Sequence, residues 1–259
     1  MTTKFVIIGA AGRMGKRIIE LCLEDKDIEI VGLIEHPQHK LLGEKIFSQL
    51  PPLTNNLNSV ITQTDVVIDF SSAESTGSWI EIVEKNNKPI VIGTTGHTSF
   101  QVDRITQASK KVPIVFSPNM SLGVNILFKT IDFVLKIVKE KGYDIEILEA
   151  HHNKKKDAPS GTAKKIMEII KSYFPDTKFV FGREGIVGER TKNEVGVFAI
   201  RGGDIVGEHT VIFSTLGEKI ELKHTATSRD TFALGAIVAA KWIKTKPAGL
   251  YNMYDVLEI

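Results

Sequence analysis

Between positions 149 and 163 the chain runs Glu149-Ala150-His151-His152-Asn153-Lys154-Lys155-Lys156-Asp157-Ala158-Pro159-Ser160-Gly161-Thr162-Ala163. The two imidazoles have ordinary pKa values close to neutral pH, so either can give or take a proton at small cost. Three adjacent ammonium groups repel one another and the histidines, which eases loss of a proton from one of them and favours a dianionic ligand. Pro159-Ser160-Gly161-Thr162 stands before an apolar-periodic run, Ala163, Ile166, Met167 and Ile170, so a helix capped by Ser160 or Thr162 is expected to begin there. The N–H groups and positive dipole end of such a helix seat a carboxylate or phosphate. A lysine run is more often a solvated face and a His-His pair more often structural, so other segments must decide between these readings. No metal is expected, because the chain has one cysteine and neither H-E-x-x-H nor paired C-x-x-C.

The elements that must position this stretch begin at the N-terminus. Lys4-Phe-Val-Ile-Ile-Gly9 is a short apolar, β-branched run, followed by Ala10, Ala11, Gly12, Arg13, Met14 and Gly15 and then a helical pattern, Ile18, Ile19, Cys22. Strand, glycine turn and helix in that order form the setting of a dinucleotide-binding fingerprint, although the spacing is G-x-x-G-x-x-G. The next strand, Glu29 to Ile34, ends at Glu35, about twenty residues past the glycines, where an acid can accept hydrogen bonds from a ribose. His36 and Arg13 stand near enough in sequence to meet a 2′-phosphate, so NADH and NADPH both remain open as cofactors. Residues 37–60 are expected to be irregular with one weak strand. Ser71-x-x-Glu74 and Thr98-x-x-Gln101 have capping-box spacing, and strands are expected at Val66 to Asp69, Pro89 to Ile92 and Ile114 to Phe116. Regular strand–helix alternation implies a parallel sheet whose ligands bind beyond the carboxyl ends of its strands. Gly93, Thr94 and Thr95, and Ser117, Pro118, Asn119 and Met120, fall at such ends and are expected to face the nicotinamide half of a cofactor.

A long helix from Leu122 to Lys141 is followed by a strand-rich region, Tyr143 to Glu149, Lys178 to Val180, Val195 to Arg201, Asp204 to Phe213 and Lys219 to Thr225, and then by a helix from Asp230 to Lys244. The expected fold is α/β: a Rossmann-type parallel-sheet domain of residues 1–122 with 232–259, plus an α+β domain of residues 123–231. The second domain is expected to bind substrate and pair subunits through an open mixed sheet that carries the 149–163 stretch on one edge. A Glu208-His209 pair in a strand is expected to be sheet surface or interface.

The 259 residues, 42% hydrophobic and 25% charged, suit an ordinary globular protein of two domains. A net charge of +2 gives no case for nucleic acid, and no apolar run is long enough for a membrane span, so a cytoplasmic location is expected. Cys22 is expected to be a buried apolar residue. Fold alone fits other nicotinamide-dependent amino-acid or imino-acid dehydrogenases, and even a nucleotide-sensing binding protein.

Taken together, Gly9 to Gly15, Gly93-Thr-Thr-Gly96, Ser117 to Met120, Glu149 to Ala163, Arg183 to Arg190, Arg201 to His209 and Gly249 to Val256 resemble the dihydrodipicolinate reductase family nearly end to end. The resemblance implies a homotetrameric reductase on the diaminopimelate route to lysine. Such an enzyme removes water from a small cyclic hydroxy-imine dicarboxylate and delivers to it a hydride from NADH or NADPH. By the same resemblance, His151 is the proton donor and acceptor, Lys155 the proton donor, and His152, Gly161 and Thr162 bind the substrate. Gly9 to Met14, Glu35, Gly93 to Thr95 and Ser117 to Met120 would hold the cofactor. Family members that use NADPH well often have arginine after the acid that ends the second strand. Here that residue is His36, so NADH is expected to serve at least as well.

Overall fold

Strand β1 (Thr3–Ile8) is apolar on both sides, so it belongs in the middle of a sheet covered on both faces. The computed structural model describes residues 2–259 and places it there. The chain divides into two compact units, one made of residues up to Leu122 together with Arg229–Ile259, the other of Gly123–Ser228.

With strands and helices numbered in chain order, the first unit contains β2 (Ile28–Ile34), β3 (Val66–Asp69), β4 (Ile90–Ile92), β5 (Pro113–Phe116) and β11 (Gly249–Tyr251) besides β1. All six are parallel, in the order β11-β5-β4-β3-β1-β2, so the winding reverses between β1 and β3, where a ligand crevice belongs. Phe5 and Ile7 pack with Ile18, Ile19 and Cys22 of α1 (Arg13–Glu24) and with Ala236, Ala240 and Ile243 of α6 (Asp230–Ile243). Val6 and Ile8 pack on the other face with Trp79, Ile80 and Val83 of α2 (Ala73–Lys85) and Ile105 of α3 (Ser99–Ala108). This period-two division of β1 is what makes three layers, each buried isoleucine contributing about 1.5–3 kcal/mol. Cys22 belongs to this core, and burial pushes its thiol up to about 12.

Three local expectations change. The box at α2 is Ser72 with Ser75, not Ser71 with Glu74, because Asp69 takes both the Ser71 N–H and its hydroxyl and the helix starts one residue later. The weak strand within 37–60 reduces to a single bridge of Thr54 to Ile34, with short 3-10 turns at Leu57–Ser59 and Ile61–Gln63. Strand β11 was not expected: three residues carry no readable period, and pairing with the open side of β5 makes them a strand. Thr98 with Gln101 does form a capping box on α3.

The second unit holds most of α4 (Leu122–Val138), then β6 (Asp144–His151), α5 (Gly161–Tyr173), β7 (Lys178–Val180), β8 (Glu194–Arg201), β9 (Gly207–Thr215) and β10 (Glu218–Ala226). Its sheet is mixed, in the order β10-β9-β6-β8-β7. The 149–163 stretch therefore leaves the central strand and not an edge, since β6 pairs parallel with β8 and antiparallel with β9. Ile145, Ile147 and Glu149 alternate onto its buried face, which puts a carboxylate where apolar side chains would otherwise continue. Among the described residues no helix is long and apolar enough to cross a membrane.

Candidate active site

Two sets of functional groups assemble, one in each unit. In the first, Gly9 turns the chain with φ of +75°, and a Cβ there would lie 2.4 Å from Phe70 O. A side chain on Gly15 would meet Gly9 O at 2.1 Å, so both glycines are required for the loop to lie against the start of α1. No side chain caps α1, because Gly12 occupies the cap position, and its first turn has no acid. A bare, positively polarised helix end at the switch point of a parallel sheet is a seat for a pyrophosphate.

Two clefts meet at this loop. One, of about 540 Å³, is lined by Gly12, Arg13, Met14, Phe70, Ser71, Gly93, Thr94, Thr95, Pro118, Asn119, Met120, Arg229 and Phe232. The other, of about 440 Å³, is lined by Gly9, Ala11, Gly12, Glu35, His36, His39, Phe70, Ser71, Ser72 and Ser75. They share Gly12, Phe70 and Ser71, so together they form an elongated site with the glycine loop at its middle, as a dinucleotide requires. The larger cleft is lined by two arginines and no acid, and Glu35 supplies the acid of the smaller. Glu35 Oε1 accepts from Ala11 N at 2.9 Å, so the acid that would meet a ribose also holds the loop. Twelve of the fourteen residues assigned to the cofactor line these clefts, with Glu35 among them, and the two that line neither are Ala10 and Ser117.

 Ala10 is buried in the core beneath the loop, and Ser117 is buried with its hydroxyl donated to Asn119 O at 3.0 Å.

Beneath these clefts lies a carboxylate that the sequence did not single out. Asp69, buried at the end of β3, accepts from Ser71 N at 2.9 Å, Ser71 Oγ at 2.5 Å, Thr76 Oγ1 at 2.9 Å and Thr94 Oγ1 at 3.3 Å. Burial pushes its pKa up and the donors only partly oppose this. Asp69→Ala is expected to strand these donors, cost about 1–3 kcal/mol and weaken cofactor binding through Ser71 and Thr94. Thermal melting and a cofactor titration measure both, and an unchanged affinity would count against this role.

In the second unit, Ser160 rather than Thr162 caps α5, its Oγ accepting from Ala163 N at 3.2 Å. Gly161 leaves open space at the helix start, with no atom within 4 Å of where a Cβ would stand. The three lysines differ in setting: Lys154 and Lys156 are exposed, whereas the Lys155 side chain is 20% exposed and its Nζ lies 2.9 Å from Asp157 Oδ1. His151 Nδ1 stands 2.6 Å from Glu149 Oε2. Burial pushes the His151 imidazole below the usual histidine range; Glu149 opposes the shift, while Lys155 and Arg201 reinforce it. His152 is half-buried beside this group.

Glu149, Arg201 and His209 belong to the site although they were not assigned to it. His209 is buried, not sheet surface: its Nε2 lies 2.9 Å from Ser160 Oγ and its ring meets that of His151 edge-on at 5.1 Å. Burial, with His151 nearby, lowers its pKa to about 3, so it is neutral. The one local signal was the two-residue spacing of Glu149 and His151, which puts both on one face of a strand.

The chain matches the family described as dihydrodipicolinate reductase, N-terminus, over residues 3–120 and its C-terminus over residues 123–257. It is 50% identical over 264 residues to 4-hydroxy-tetrahydrodipicolinate reductase of Aquifex aeolicus, covering 99% of each chain. It is 45% identical over 267 residues to the protein of that name from Methanocaldococcus jannaschii, covering 98% of this chain and 97% of the other. Among solved structures it resembles a dipicolinate-bound dihydrodipicolinate reductase from Paenisporosarcina sp. TG-14, with a TM-score of 0.82, 23% identity and coverage of 98% and 99%. An amine dehydrogenase from Mycobacterium smegmatis shares the fold at a TM-score of 0.59 and 10% identity, covering 98% and 95%.

Proposed function

The chain belongs to the dihydrodipicolinate reductase family, and from that premise we propose that it reduces 4-hydroxy-tetrahydrodipicolinate, with loss of water, in the diaminopimelate route to lysine. The single observation that carries the chemistry is the group formed by a neutral His151, the partly shielded ammonium of Lys155 and the open start of α5. The nicotinamide supplies a hydride when bound. Gly161, Thr162 and His152 bind the substrate carboxylates at the helix start, where the dipole and N–H groups favour anions. Addition of a hydride to a conjugated imine leaves an electron-rich enamine, which must take up a proton. Lys155 donates protons, and His151 accepts one and returns it.

NADH is proposed to serve at least as well as NADPH. Glu35 keeps lone pairs for ribose hydroxyls after accepting from Ala11 N, and its charge would repel a 2′-phosphate. Where an arginine would offset that repulsion stands His36, whose Nδ1 accepts from Gln38 N at 3.3 Å, leaving Arg13 as the main cation. The assay supplies the condensation product of pyruvate and aspartate semialdehyde and follows NADH and NADPH oxidation at low salt. Oxidation only when that product is present, with kcat/KM for NADH equal to or above that for NADPH, is expected. Cofactor binding without turnover would refute the function, and a strong NADPH bias would refute the preference. The active assembly is proposed to be a homotetramer.

A further inference from the structure

The Glu149 side chain has no exposed surface, yet it is surrounded by donors: Arg201 Nη1 and Nη2, each at 2.8 Å, Ser160 N at 3.0 Å and His151 Nδ1 at 2.6 Å. Burial alone would raise its pKa, but the guanidinium, the imidazole and the backbone N–H together hold it below the usual carboxylate range. An ionised carboxylate has no proton to offer, so the His151 contact is Nδ1–H donating to Oε2, which leaves Nε2 of the neutral ring with its lone pair. Gly207 on β9 lies against that atom, where a Cβ would come within 3.2 Å of Nε2.

We infer that Glu149, clamped by Arg201, is a positioning residue that locks His151 in the Nδ1–H tautomer and so makes Nε2 the atom that accepts the proton. When Nε2 takes a proton from the substrate, the ring becomes an imidazolium with both nitrogens protonated. Its charge faces Glu149, and no proton passes to the carboxylate. Because Glu149 also accepts from Ser160 N, whose side chain caps α5, the proton acceptor and the anion seat are fixed to each other. The inference rests on the reading of His151 given above.

The test is ¹⁵N NMR of the full-length, histidine-labelled protein near neutral pH, together with pH profiles of wild type and Glu149→Gln. The expected wild-type spectrum shows His151 protonated at Nδ1 and bare at Nε2. Glu149→Gln is expected to lower kcat by at least about tenfold, as loss of an orienting carboxylate does, with a smaller change in KM. Removing the one partner that raises the His151 pKa moves the acid limb of kcat/KM to lower pH. A wild-type Nε2–H tautomer, or a variant with unchanged kcat and acid limb, would overturn the inference, and the wild-type spectrum decides even if the variant does not fold. His151→Asn separates the two levels: retained turnover sinks the reading of His151 itself, whereas lost turnover with an Nε2–H wild type sinks only the role of Glu149.

Discussion

Replacing Lys155 with methionine is expected to leave NADH binding unchanged and to cut turnover by at least about a hundredfold, the scale of losing a positioned proton donor. Methionine keeps much of the stem's length and apolar packing and removes the ammonium. The partner left behind, Asp157, is 52% exposed and is solvated after the change, so stability should fall by no more than about 0–1 kcal/mol. The cofactor clefts are lined wholly by residues of the other unit, which is why NADH affinity should not move. Steady-state turnover, a fluorescence titration with NADH and a thermal melt check the three parts. Full turnover in the variant would transfer the donor role to His151 or water. The same substitution at Lys154 or Lys156, both exposed, should change turnover far less.

Replacing Gly15 with alanine is expected to raise the dissociation constant for NADH at least about tenfold and to destabilise the first unit by about 1–3 kcal/mol. The added Cβ would lie 2.1 Å from Gly9 O and 2.8 Å from Ala10 Cα, and both are backbone atoms that no rotamer change can move aside. Relief requires the loop and the first turn of α1 to part. That displaces Gly12, common to both clefts, and loosens the 2.9 Å bond from Ala11 N to Glu35. An unchanged affinity would show that this loop does not hold the cofactor.

Much of the fold was legible because its signals are local. The β-branched run before Gly9, the Thr98–Gln101 box and the Ser160 cap each lie within a few residues, and each formed as its pattern dictates. Ser71 shows the limit of such signals: its spacing suited a cap, but the buried Asp69 claimed its hydroxyl and N–H. Strand β11 lies beyond the same limit, since it owes its form to the pairing available along β5.

The sequence by itself determined a doubly wound, nucleotide-binding unit and a cationic stretch ahead of a helix, because turn chemistry, capping and apolar period are written in adjacent residues. Only the tertiary structure decided which lysine of three is shielded, and that Glu149 meets an arginine 52 positions away. It also turned His209 inward. Those outcomes depend on strand order and register, where a slip of one residue would reverse every side chain, and no short segment encodes them.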